Sequence, residues 1–169
     1  MSELVQRRRL TEAALVQNEA LGAYALWRFG LGYQDRDGRA ATLPLAFLVL
    51  PLTLHGSTLA MVLSTHKASG LHLFAGKLGD KREDLIAIHS RAIALRRLTL
   101  DSLMCAEQSS LIRIDPMTAT IWSNSPDDDF PIPVLPERIR RVGPACEKIG
   151  HWFAGLTDQQ VVHTLKVEF

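Results

Sequence analysis

The sequence predicts a mainly α, compact domain with one β-hairpin at about residues 111–123. Three observations carry that prediction. Apolar side chains recur at helical spacing along most of the chain. Two short β-rich runs, residues 111–115 and 119–123, flank the turn sequence Pro116-Met117-Thr118. The chain has 169 residues, 47% hydrophobic and 22% charged, which supplies one core and little room for a second. The same composition excludes disorder over most of the chain, because burial of this much apolar surface offsets chain entropy. Residues 1–169 therefore read as a single domain, with a helical part at 11–98 and C-terminal helices at 136–165.

The elements follow from caps, breakers and periodicity. Thr11 is placed to cap a short helix over 12–16, and Asn18 to cap a second through Arg28, with Gly30 and Gly32 ending it. Residues 34–41 are polar with Gly38 and read as a loop. Residues 43–54 are apolar on every side, which requires a helix enclosed by protein. Pro44 suits its first turn. Pro51 removes the bond back to Phe47 and should kink or end it. Further helical segments are expected at 57–64, at 70–78 behind a Ser69 cap, after an Asp80 cap with Leu85, Ile88, Ala92 and Leu95 inward, and at 100–108 behind Thr99 with Leu103 and Met104 inward. The hairpin follows. Helix, helix, hairpin is the order of a winged-helix unit, so residues 85–123 are expected to form a degenerate winged-helix-like part. Residues 125–136 read as an exposed Pro- and Asp-rich connection. Ile139, Val142, Cys146, Ile149 and Phe153 mark an amphipathic helix that Gly143-Pro144 should kink, and Thr157 with Gln160 forms a capping box for a last helix through Leu165.

Charge and cysteine usage narrow the function classes. The formal net charge is +1, so no overall field points to DNA or an anionic membrane. The distribution is uneven, at +5 over residues 1–100 and −4 over 101–169, as could suit docking between subunits. Cys105 and Cys146 lie among apolar residues and read as buried reduced thiols. The longest apolar run has 12 residues, short of the ~20 a membrane helix needs, and no leader is recognisable at the start. A soluble, cytoplasmic protein without a membrane partner is expected.

Patterns that carry chemistry are sparse. The histidines at 55, 66, 72, 89, 151 and 163 lack metal-ligand spacing, although His66 and His72 could meet in a bent segment. Cys146 and His151 stand five apart and so on different faces of one helix. Asp127, Asp128 and Asp129 read as a solvated acidic loop rather than a cation site. No phosphate-binding loop is present. No catalytic, metal or cofactor residue is assigned. Basic groups occur at 7–9, 81–82, 96–97 and 138–141. Arg96 and Arg97 precede the would-be recognition helix and are the candidate nucleic-acid contacts. That helix carries Asp101 and Glu107 and no Lys or Arg, so a winged unit used for protein contact is favoured over one that reads DNA.

Three stretches together resemble a known family: residues 43–55 (LPLAFLVLPLTLH), 91–115 (RAIALRRLTLDSLMCAEQSSLIRID) and 148–156 (KIGHWFAGL). Their order and spacing, with residues 18–33 ahead of them, are similar to the middle component of three-component ABC-ATPase conflict systems, the Lamassu type of bacterial anti-phage defence. Glu19 stands where that family often has proline, and Lys166 where it often has glycine. The resemblance implies a non-enzymatic adaptor without a cofactor. It would join an SMC- or Rad50-like ABC ATPase to an effector, often a nuclease, and hold the effector inactive until DNA engages the ATPase. DNA would be met mainly through the complex. The alternatives are a stand-alone winged-helix DNA binder resting on Arg96 and Arg97, and, more remotely, a small hydrolase using Cys105, Cys146 or a histidine.

Overall fold

The computed structural model describes residues 18–129 and 131–168. The expected helix over 12–16 with its Thr11 cap, and the basic group at 7–9, lie outside the described residues. The architecture is mainly α with a small antiparallel sheet.

Helix α1 (Glu19–Asp37) starts as expected. The Asn18 side chain accepts from the Leu21 N–H at 2.9 Å. It does not stop at Gly30 and Gly32. Both are interior positions, buried where another chain segment presses close: a β-carbon on Gly32 would meet the backbone of Glu147, and one on Gly30 the Ser123 side chain. Each glycine costs roughly 1 kcal/mol of helix propensity, and close packing against the segments that carry Glu147 and Ser123 outweighs it. The helix ends instead at Gly38, whose φ of 70° fits a left-handed cap and whose N–H reaches the Gln34 carbonyl at 2.7 Å. The expected loop at 34–41 is thereby shortened, and its end becomes strand β1 (Ala41–Thr42).

Helix α2 (Leu43–Thr53) carries Pro44 in its first turn and Pro51 near its end. Its interior is enclosed, with Leu45, Leu48, Val49, Leu50 and Leu52 fully buried. Two residues after Pro51 the helix stops, and the chain turns by 102° into α3 (Gly56–Ser64). Among the described residues no single helix is long and apolar enough to cross a membrane; this bent pair meets the length and composition together, with most of α2 buried.

A 3-10 turn (Lys67–Ser69) leads into α4 (Gly70–Asp80), then α5 (Arg82–Ala94) and α6 (Arg96–Gln108). Three expected caps fail here. Ser69 makes no capping bond. Asp80 is the last residue of α4 and does not start α5. Thr99 lies inside α6, its hydroxyl turned back to the Leu95 carbonyl at 3.1 Å. Helix α6 therefore begins at Arg96, so Arg96 and Arg97 form its first turn instead of preceding it. The α5 stripe of Leu85, Ile88, Ala92 and Leu95 is buried as expected. Leu103 is buried too, but Met104 is 53% exposed, because α6 is held against α1 by Thr99, Ser102, Leu103 and Ala106.

The hairpin is β2 (Ile112–Asp115) with β3 (Thr120–Ser123), pairing Arg113 with Trp122 and Ile114 with Ile121. Its turn is held by the Asp115 carboxylate, which accepts from the Met117 N–H at 2.9 Å. Strand β1 adds to the far side of β3, giving the order β1-β3-β2. The described part of 124–136 has no regular structure. After it, the long C-terminal seam is split into α7 (Glu137–Arg140) and α8 (Val142–Ala154) at Arg141, two residues before the expected kink, because Pro144 is accommodated in the first turn of α8. The Thr157–Gln160 capping box opens α9 (Asp158–Leu165) as expected. Helices α1 and α8 pack closest, through Gly32, Gly150 and an edge-on contact between Phe29 and Phe153 with centroids 5.8 Å apart.

Candidate docking surface

The described surface carries two apolar grooves. The first, about 490 Å³, lies between the start of α2 and the end of α5. Leu43, Pro44 and Phe47 form one wall, and Ala92 and Ile93 the other. Ala119 of the hairpin turn, Val167 and Glu168 close it. The tail is seated by its backbone: the Glu168 N–H donates to Nδ1 of His89 at 3.3 Å. Arg96 stands at the rim, exposed, with no hydrogen bond or ion pair among the described residues. Arg97 is exposed, and its Nε lies 3.0 Å from both carboxylate oxygens of Asp101, a solvated i,i+4 pair. Arg96 thus lines the groove, together with the polar His89 and Glu168, and Arg97 does not.

The second groove, about 500 Å³, runs between α1 and the segment after the sheet. Leu21, Tyr24 and Trp27 face Pro131, Pro133 and Leu135 across it. The Trp27 indole N–H donates to the Asn124 carbonyl at 2.7 Å, which ties this segment to α1. Ile132 and Val134 point the other way and are 44% and 97% exposed. Asp127, Asp128 and Asp129 lie in the exposed part of this connection.

The polar groups that sequence analysis weighed for chemistry are placed as follows. Cys146 is fully buried, and desolvation pushes its thiol up to about 12, so no thiolate forms there at neutral pH. His151 lies five residues further along α8; burial and the nearby Lys67 and Arg36 push its pKa down. Cys105 is half-buried. Among the described residues no three His, Cys, Asp or Glu side chains converge as a metal ligand set.

One polar cluster was not foreseen. Arg91 of α5 donates to Nε2 of His55 at 3.3 Å, to Thr58 Oγ1 at 3.1 Å and to Asp84 Oδ1 at 3.3 Å, while Ser57 Oγ lies 3.0 Å from His55 Nδ1. The guanidinium only donates, so His55 Nε2 must accept and Nδ1 carries the proton. Ser57 then receives a hydrogen bond from the imidazole, the reverse of what activation of a nucleophile needs. The cluster holds the start of α3. Its other end is held by Lys148 of α8, whose ammonium donates to the carbonyls of Val62, Leu63 and Thr65 at 2.8–3.1 Å. His55 ends the first of the three family-like stretches, Arg91 begins the second and Lys148 begins the third. Their position at stretch ends was the available signal, and it has a structural basis: all three clamp α3.

The described surface of this helical fold thus carries two apolar grooves, and its polar cluster clamps helices. The family model of the ABC-three component (ABC-3C) system Middle Component 3 matches residues 6–169. The chain belongs to this family and is a middle component of an ABC-three component system. No curated protein and no solved structure matches it.

Proposed function

We propose that this middle component is a non-enzymatic, cytoplasmic adaptor of a Lamassu-type defence complex. It joins an SMC- or Rad50-like ABC ATPase to an effector such as a nuclease, and restrains the effector until the ATPase engages DNA. The observation that carries the reading is the pair of grooves. They share no lining residue and are built from different elements, α2 and α5 for one, α1 and the segment after the sheet for the other. Two separate apolar surfaces suit a subunit that contacts two partners. Family membership as a middle component supports the same role.

The test is co-expression with the ATPase and effector subunits encoded beside it, followed by affinity purification. All three should co-purify at low and moderate salt. Effector activity should be low in the assembled complex and rise when DNA is added. Failure to co-purify with either partner, or an effector equally active with and without this chain, overturns the proposal.

A further inference from the structure

We infer that residues 55–66, with α3 at their centre, open as one unit while the rest of the fold stays packed, and that Lys148 is the residue that holds them closed. The inference concerns the chain by itself and does not rest on the adaptor reading.

Helices α2 and α3 meet at a sharp turn but are held by different means. Eight of the eleven residues of α2 are buried, among them Leu45, Leu48, Val49, Leu50 and Leu52. In α3 only Thr58 and Val62 of nine are, so Val62 is its one fully buried apolar side chain. Gly56, Ser57, Ala60 and Ser64 are exposed. No side chain caps its start. A cavity of about 70 Å³ lies between Gly56 and Leu59 on one side and Leu21, Ile139 and Val142 on the other, so the first turn forgoes packing contacts there.

Polar contacts make up the difference. At the start, Arg91 donates to His55 and Thr58, and it keeps Asp84, on its own helix, whether or not α3 is in place. At the end, Lys148 donates to the carbonyls of Val62, Leu63 and Thr65. An ammonium has three N–H groups, and all three are used here. Lys77 adds a bond to Thr65 Oγ1 at 3.2 Å. When such contacts part, water replaces each partner, so separation costs far less than exposing an apolar helix such as α2. Both flanks stay anchored. Leu54 is buried, with its N–H on the Leu50 carbonyl at 2.9 Å, and the Trp152 indole N–H holds the Lys67 carbonyl at 2.8 Å. These anchors bound the unit. A segment with few buried apolar contacts and exposed helical hydrogen bonds opens before the core does.

The experiment is hydrogen exchange of the full chain, followed amide by amide by NMR at rising urea below the unfolding transition. Amides of 56–64 should share one protection factor, about tenfold or more below those of α2 and α8, with a shallower urea dependence because less surface is exposed. Lys148→Met keeps the apolar stem and removes the donors. It should lower protection in 56–64 by about tenfold more and leave α2 and α8 nearly unchanged. Protection in 56–64 equal to that of α2 and α8, with the same urea slope, overturns the inference, since α3 then opens only with the whole fold. Protection that rises inward from both ends of α3 overturns it too, because that is fraying. A Lys148→Met chain that does not fold, or that loses protection equally in all three helices, overturns the role given to Lys148. None of these outcomes bears on whether the chain joins other subunits.

Discussion

Arg28 of α1 donates from Nε to the Glu147 carboxylate of α8 at 2.6 Å, and from Nη1 to the Tyr24 hydroxyl at 2.6 Å. Arg28 is 7% exposed. Burial opposes its charge, but the Glu147 carboxylate and the Tyr24 hydroxyl outweigh that and hold its pKa above the ordinary value. The pair binds the two central helices where Gly143 leaves room for the guanidinium and the Tyr24 hydroxyl. Replacing Glu147 by Gln keeps the shape and removes the charge partner. It should cost about 2 kcal/mol, measured as a lower urea midpoint at unchanged slope. Arg28→Met should cost no more than that if a packed apolar side chain fills the site.

Close approach of backbones at α1–α8 makes another prediction. A β-carbon on Gly32 would strike the Glu147 backbone, which cannot move aside as a flexible side chain would. Gly32→Ala should destabilise by about 3 kcal/mol or prevent folding. Gly79, inside α4, has nothing within 4 Å of the same position. There alanine should add about 0.5–1 kcal/mol through helix propensity and a less free unfolded chain. Equal thermal midpoints for the two variants would contradict this.

The buried thiol predicts an alkaline effect. Cys146 titrates at about 12 in the fold because desolvation disfavours the thiolate, against 9.0 for an unperturbed cysteine. The folded state thus holds this proton more tightly. Its contribution is complete below pH 9 and is lost as pH rises toward 12, at up to about 1.4 kcal/mol per pH unit. Tyr24 and Tyr33, both raised mainly by burial, add the same trend above their ordinary value of 10.0. Denaturation curves from pH 8 to 11 should show falling stability, less steeply in Cys146→Ala. At pH 8, a thiol reagent should leave Cys146 unmodified until the protein is unfolded.

Lys166 closes α9 with a φ of 53°, in the left-handed region where a β-carbon is strained. This is the position at which the family-like pattern often carries glycine. Lys166→Gly should therefore stabilise the fold by about 1 kcal/mol, visible as a rise of a few degrees in melting temperature. A fall would show that the lysine side chain contributes something the backbone geometry does not. Glu19, the other departure, is the first helical residue of α1, where a missing N–H costs nothing and proline is favoured.

Local pattern made the enclosed α2, the hairpin at 112–123, the α5 stripe and the α9 capping box readable in advance, because each depends on residues within a few positions of one another. The stop at Gly30 and Gly32 and the cap at Thr99 were misread because propensity weighs a residue alone, whereas α1 runs on through close contacts of Gly30 with Ser123 and Gly32 with Glu147, and Thr99 is buried inside α6. Nothing in the structure explains why Ser69 and Asp80 do not cap. Strand β1 is two residues long and exists only because β3 offers it an edge.

The site divides the same way. Composition and spacing determined that this chain is mainly helical, and the three dispersed stretches pointed to its family. Only the tertiary structure decided that His55, Arg91 and Lys148 clamp one helix, and that Arg96 lines a groove with residues from α2 and the C-terminal tail. A groove is made of surfaces brought together from distant parts of the chain, and hydrophobic periodicity reports which face of a helix is apolar without saying whether another element covers it.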